Sequence, residues 1–193
     1  MSHYFENDNN LASDIKKFKF NDFGINLTFN TDNGVFSKGE LDFGTYLLLK
    51  NVKDLVNGDI LDLGCGYGSI GLILNKYNHS NITCCDVNKR ALHLTKMNIK
   101  ENKLDNILVI ESDGFSNIDS KFNYVVTNPP IRVGKEKLYE LITGCKNHLK
   151  ENGIIYLVIR KEQGAKSFIK DMSKYYEINT LDKQKGFMIL ELK

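Results

Sequence analysis

The chain has 193 residues, 41% of them hydrophobic, which suits one domain large enough to bury a core. A net charge of +2 does not by itself single out nucleic acid as a partner. No apolar run approaches a membrane span, and the polar start MSHYFENDNN lacks the basic and apolar regions of a signal peptide, so a cytoplasmic protein is expected.

Residues 1–14 read as a flexible start. IKKFKF and GINLTFN alternate apolar and polar residues around the turn-forming Asn21-Asp22, as a hairpin would, and DNGVFSKGE follows as a glycine-bearing loop. This hairpin and loop occupy 15–41. From Asp42 an amphipathic helix is expected, with Phe43, Tyr46, Leu47, Leu49 and Leu55 supplying apolar contacts until Asn57-Gly58 stops it.

Strands and helices then alternate over 42–193. DILDL (59–63), NITCCDV (81–87), NILVIES (106–112), FNYVVTN (122–128) and GIIYLVIR (153–160) are mostly short apolar runs, the kind buried on both faces of a parallel sheet, with helices in the gaps. The clearest helix is 136–150, where Leu138, Leu141, Ile142, Cys145 and Leu149 recur at three- and four-residue spacing and Asn152-Gly153 ends the run. A last helix around 163–174 precedes two apolar runs that meet at a Lys-Gln-Lys-Gly turn, a closing antiparallel hairpin. The pattern is that of an α/β doubly wound sheet forming one unit over 1–193.

Cys65, Cys84, Cys85 and Cys145 show neither a CxxC pair nor zinc spacing, and His3, His79, His93 and His148 lack metal-ligand spacing. Reduced thiols and no metal are expected. Ser69 lies in YGSIG rather than GxSxG, and there is no Walker A lysine.

LDLGCGYGSIG, Leu61 to Gly71, turns from a strand into a helix through Gly64, Gly66 and Gly68, where a backbone without Cβ atoms can approach a nucleotide-like ligand. Two cofactors compete. Gly66, Gly68 and Gly71 formally satisfy the GxGxxG dinucleotide fingerprint, and Asp86 could hold a ribose in either case. The same stretch resembles the DxGxGxG loop of class I S-adenosylmethionine-dependent methyltransferases. That resemblance implies S-adenosylmethionine as cofactor, held by Asp62, Gly64, Cys65, Gly66 and Gly68. It also implies Asp86 on the ribose hydroxyls, Val87 against the adenine, and Asp113-Gly114 at the adenine amino group.

The tripeptide Asn128-Pro129-Pro130, which holds both prolines of the chain, separates the two. A Pro-Pro pair can simply be a rigid turn leaving the sheet. Methylating an exocyclic amine supplies a stronger reason, because the nitrogen lone pair must face the electrophilic methyl while acceptors hold the amine's hydrogens. The Asn128 side-chain oxygen and the Pro129 carbonyl can do this, and the prolines remove competing N–H groups.

The tripeptide resembles the (N/D)PP(aromatic) motif of amino-methyltransferases acting on adenine N6, guanine N2 or glutamine amide, with Ile131 in place of the aromatic. Phe36 or Tyr67 is the candidate to stack on a base instead. Together DNGVFSKGELDFGTYLL, DLGCGYG and NPPIRVGK resemble the catalytic domain of RsmC-type small-subunit ribosomal RNA guanine-N2 methyltransferases. That resemblance implies a Rossmann-like seven-stranded sheet whose last strand is antiparallel, and a cover over the cofactor from Asn33 to Thr45. The partner it implies is ribosomal RNA or the small ribosomal subunit. Alternatives are the same chemistry on adenine N6 or a protein glutamine, or a non-catalytic RNA-binding assembly factor. Lys16, Lys17 and Lys19, with Arg132, Lys135 and Lys137, are expected to form a basic rim about the target, with Arg132 the best phosphate contact.

Overall fold

Side chains alternate between the two faces of a strand, and in this chain both faces of the main sheet are covered. The computed structural model describes residues 11–130 and 134–193. Its strands and helices are β1 (Lys16–Asp22), β2 (Ile25–Thr31), α1 (Phe43–Val52), β3 (Asp59–Leu63), α2 (Ser69–Asn78), β4 (Asn81–Asp86) and α3 (Lys89–Glu101). They continue with β5 (Ile107–Glu111), β6 (Phe122–Thr127), α4 (Lys135–Gly144), β7 (Leu149–Arg160), α5 (Ala165–Met172), β8 (Ile178–Gln184) and β9 (Phe187–Leu192).

Strands β3 to β9 form a seven-stranded sheet in the order β5-β4-β3-β6-β7-β9-β8, with the last strand, β9, antiparallel to both neighbours. Ile60, Ile82, Cys84, Val126 and Val158 face one core together with α1, α2 and α3; Leu61, Cys85, Val125, Ile155 and Leu157 face a second core with α4 and α5. The strand order reverses between β3 and β6, so a crevice opens at their C-terminal ends. There the Thr127 hydroxyl donates to the Leu63 carbonyl at 2.7 Å and ties the two strand ends together.

Several local expectations are corrected. The first hairpin turns at Phe23-Gly24, both at positive φ (53° and 75°), while Asn21 and Asp22 pair as strand residues. Helix α1 stops at Val52; a turn then rotates the chain, so Leu55 is 47% exposed and Val56 is buried in its place. Helix α4 ends at Gly144 and passes through a short 3-10 turn, and Leu149 already belongs to β7, opposite Phe122. Pairing with β6 overrides the helical spacing there, and Asn152 (φ 59°) lies in a stretch where the β6–β7 register shifts. No helix forms between β5 and β6, where the chain makes only turns. Strand β5 is a sheet edge, which is why Leu108 is 57% exposed rather than buried on both faces.

The β1–β2 hairpin is not part of the main sheet, and its outer strand needs another partner for its backbone. Two asparagines one turn apart, Asn98 on α3 and Asn102 at its C-cap, supply it. Asn98 Oδ1 accepts from Asn30 N at 2.7 Å while its Nδ2 donates to the Asn30 carbonyl at 3.1 Å; Asn102 repeats the pattern on Thr28 N and O, both at 2.8 Å. Asn98 Nδ2 also donates to the Tyr67 carbonyl at 2.9 Å, joining the hairpin to the glycine loop. The Tyr67 ring meets Phe18 and Phe29 edge-on (6.0 and 5.7 Å between centroids). Asn98→Ala would strand buried backbone groups of Asn30 and Tyr67 at once. We expect it to cost about 3 kcal/mol of stability by denaturant titration, with Asn102→Ala costing less because that side chain is only half-buried.

Candidate active site

A cleft with roughly 1160 Å³ of empty space, its open mouth included, lies over the crevice between β3 and β6. The floor is the glycine loop. Gly64 N and Cys65 N both donate to the Cys85 carbonyl at 2.9 Å, and Gly68 N donates to the Cys65 carbonyl at 2.8 Å, folding the loop back against the end of β4. Gly64, Gly66 and Gly68 all have positive φ (73°, 57° and 88°), a backbone region that favours glycine. Pro130 stands across from this loop, since a Cβ on Gly64 would lie 3.8 Å from Pro130 Cδ.

Asp86 ends β4 beside the loop. Its Oδ2 accepts from Gly66 N and its Oδ1 from Asn88 N, each at 2.9 Å. Burial pushes its carboxyl pKa up, and the backbone donors oppose this only in part. Val87 is a third backbone donor to this carboxyl, which leaves one of its four lone pairs for a further donor.

The structure brings Gly64, Cys65, Gly66, Asp86, Val87, Asp113, Gly114, Asn128, Pro129 and Pro130 to the lining of this one cleft, along with Phe36. It does not bring Asp62 there. That side chain is fully buried behind the loop, with Oδ2 accepting from Gly71 N at 2.8 Å and Oδ1 without a hydrogen-bond partner. Gly68, the α2 N-cap, also lies outside the lining. Phe36 is 47% exposed, whereas Tyr67 is 3% exposed and its hydroxyl donates to the Glu40 carbonyl at 3.2 Å. Both aromatics considered for stacking line the cleft, Phe36 exposed at its mouth and Tyr67 held in its wall by that bond and by its packing on Phe18 and Phe29. Ile131 and Arg132 fall outside the described residues.

The five described basic residues, Lys16, Lys17, Lys19, Lys135 and Lys137, do not form one rim. Lys16, Lys17 and Lys19 sit exposed on the hairpin, with Lys17 paired to Glu101, and Lys135 pairs with Asp171. Of these five described residues only Lys137 reaches the cleft, where its ammonium lies 3.1 Å from Asp113 Oδ1. Among the described residues no group of three or more His, Cys, Asp or Glu side chains could hold a metal ion, and all four cysteines are free and buried.

The sequence expectations included Asp42 and Thr45 only within the cover from Asn33 to Thr45 and missed their tie to Asn128. Asp42 caps α1 by accepting from Thr45 N at 2.9 Å, and Asn128 Nδ2 donates both to Asp42 Oδ2 (3.2 Å) and to Thr45 Oγ1 (2.9 Å). The signal was present as an Asp at a helix start with Thr three residues on, but its tie to Asn128 spans 86 residues. Ser112, Ile70 and Leu141 were also missed; they line the cleft from a strand end, a first helical turn and the face of α4.

The fit to S-adenosylmethionine rests on this donor set. Asp86 offers a two-oxygen acceptor at the edge of the cleft, and the loop brings bare backbone to its floor.

Residues 26–191 match the family described as Methyltransferase small domain. The chain is 39% identical to the uncharacterized protein YbxB of Bacillus subtilis (strain 168), over 99% of its own length and 98% of that protein's. It is 42% identical to ribosomal RNA small subunit methyltransferase C of Mannheimia succiniciproducens, over 65% of this chain and 39% of that protein, so it spans about two fifths of that relative's length. Among solved structures, the T. thermophilus 16S rRNA N2 G1207 methyltransferase (RsmC) in complex with AdoMet and guanosine superposes with a TM-score of 0.78. That likeness covers 93% of this chain and 50% of the other at 22% identity, and it shows a shared fold.

Burial, reinforced by the charge of Asp86, raises the Asp62 carboxyl to about 7 against the backbone donor Gly71, which pulls it down. In the unfolded chain the carboxyl titrates near its ordinary 3.8, so its contribution to stability is full below that pH and is lost as pH rises through about 7. Asp62→Asn keeps an acceptor for Gly71. Thermal melts from pH 4 to 8 should show the wild type losing stability relative to this variant as pH rises; parallel curves would contradict a carboxyl held protonated by burial.

Proposed function

This chain belongs to the methyltransferase small-domain family, and on that premise we propose that it transfers a methyl group from S-adenosylmethionine to the exocyclic N2 amine of a guanine in ribosomal RNA, of the small subunit. The observation that carries this reading is the placement of Asn128-Pro129-Pro130 across one cleft from the glycine loop and Asp86. A nicotinamide site has no general use for that tripeptide. The choice of guanine in small-subunit RNA is supported by what the relatives are named for, and by the guanosine held in the structure of similar fold.

S-adenosylmethionine supplies a methyl group made electrophilic by its positively charged sulfur. In this reading Asp86 accepts the ribose hydroxyls, and Val87 and Asp113-Gly114 border the adenine. Gly64, Cys65 and Gly66 carry the rest of the cofactor on bare backbone, Gly68 shapes that loop, and Asp62 supports it from beneath. Asn128 Oδ1 and the Pro129 carbonyl take the two amine hydrogens and so turn the nitrogen lone pair toward the methyl. Pro129 and Pro130 fix those oxygens and bring no N–H into the site. Phe36 at the mouth, with Ile131 and Arg132, holds the base and its phosphate. The alternative acceptors, adenine N6 and a glutamine amide, would use the same oxygens.

Labelled methyl transfer to 30S subunits, 50S subunits and free ribosomal RNA from a strain lacking the protein tests this. N2-methylguanosine in small-subunit RNA is the expected product; N6-methyladenosine would overturn the base, and label found only in protein would overturn the substrate class. Asn128→Ala should lower turnover about 100-fold with cofactor affinity little changed. Asp86→Ala should instead weaken cofactor binding about tenfold or more by calorimetry, through loss of a charged acceptor, and the reverse pattern would exchange the two roles.

A further inference from the structure

The Asn128 side chain has two ends of nearly the same shape and opposite hydrogen-bonding sense. Only the oxygen can hold an amine's hydrogens; the NH2 turned the same way would set donor against donor. The amide itself has no preference, so its neighbours must choose which end faces the cleft.

Asp42 makes that choice. A carboxylate accepts and does not donate, and Asp42 Oδ2 gathers Thr45 N at 2.9 Å, Thr45 Oγ1 at 3.4 Å and Asn128 Nδ2 at 3.2 Å. With its own hydrogen turned to Asp42, the Thr45 hydroxyl is left to accept the second Asn128 hydrogen at 2.9 Å. Both amide hydrogens are thus taken, and a flipped Asn128 would put its oxygen against a carboxylate. The space for this is built in: a Cβ on Gly44 would come within 2.9 Å of Asp42 Oδ2 and 2.6 Å of the Phe187 ring. Helix α1 thereby reaches 86 residues along the chain to the tripeptide at the end of β6.

We propose that Asp42 is a positioning residue for methyl transfer, setting the flip of the Asn128 amide so that Oδ1 is presented to the substrate amine. This rests on the reading of Asn128 as the amine acceptor. The competing account is that Asp42 only caps α1 and touches Asn128 incidentally.

Asp42→Ser separates the two, because serine still caps the Thr45 N–H but is too short to reach Asn128, while Asp42→Asn keeps an oxygen in reach. The first readout is the Asn128 side-chain NH2 pair in nitrogen-edited NMR, identified by its absence from Asn128→Ala. Solvent exchange of that pair should quicken at least tenfold in Asp42→Ser and stay near wild type in Asp42→Asn. The second is single-turnover transfer to 30S subunits, expected to slow about 100-fold in Asp42→Ser, as for a misplaced reacting group. Its S-adenosylmethionine affinity should stay within about threefold, and Asp42→Asn should restore most of the rate. Unchanged exchange and rate in Asp42→Ser would leave only the cap and overturn the proposal. Should Asp42→Ser not fold, the exchanged pair Asp42→Asn with Asn128→Asp decides: it should recover at least tenfold over Asn128→Asp alone, and no recovery overturns the proposal. If wild-type protein labels no 30S subunits, the substrate reading fails, and the NMR arm still decides the role of Asp42.

Discussion

Two adjacent parallel strands, β3 and β6, send their following helices to opposite faces of the sheet, and the chain cannot close the gap this leaves at their ends. Everything chemical in the protein is arranged around that gap. The glycine loop leaves β3 on one side of it, and Asn128-Pro129-Pro130 leaves β6 on the other. The Thr127 hydroxyl on the Leu63 carbonyl keeps the two exits in register. A sheet wound in a single direction would bring the same two motifs no nearer than neighbouring loops on one side.

A gap of this kind is useful only if its walls are stiff, and here the stiffness comes from polar side chains standing in for backbone. Asn98 and Asn102 act as a substitute strand for β2, and Asn98 extends the same network to the Tyr67 carbonyl in the glycine loop. The segment leading to α1 is pinned as well. Arg90 donates to the carbonyls of Leu11 and Asn33, Asn88 donates to the Gly34 carbonyl, and Asp32 gathers Ser13 Oγ and Asp14 N. The hairpin, the cover and the floor are therefore one bonded unit around Asp86.

The site also holds two carboxyl groups where water is scarce. Asp62 and Asp86 are both raised by burial, and Asp86 raises Asp62 further. Left alone this arrangement is costly. Burial meets that cost at Asp62 by favouring its protonated form, and the Gly66 and Asn88 N–H groups offset part of it at Asp86.

The sequence by itself determined the strands β3, β4 and β6 almost to the residue, the terminal hairpin and the ordered motifs DLGCGYG, CCDVN and NPP, because apolar runs, glycines and prolines act over a few residues of chain. It misplaced the first turn, Leu55 and the end of α4, where strand pairing or a turn overrode local spacing. It also assigned to Asp62 a contact that burial behind the loop turns toward Gly71. Which aromatic is exposed, Phe36 rather than Tyr67, and which partner holds the Asn128 amide were decided only by tertiary structure. The reason is physical: a side chain's exposure and the donors it meets depend on segments tens of residues away, such as Asp42 and Asn128, and those are brought together only when the sheet closes between them.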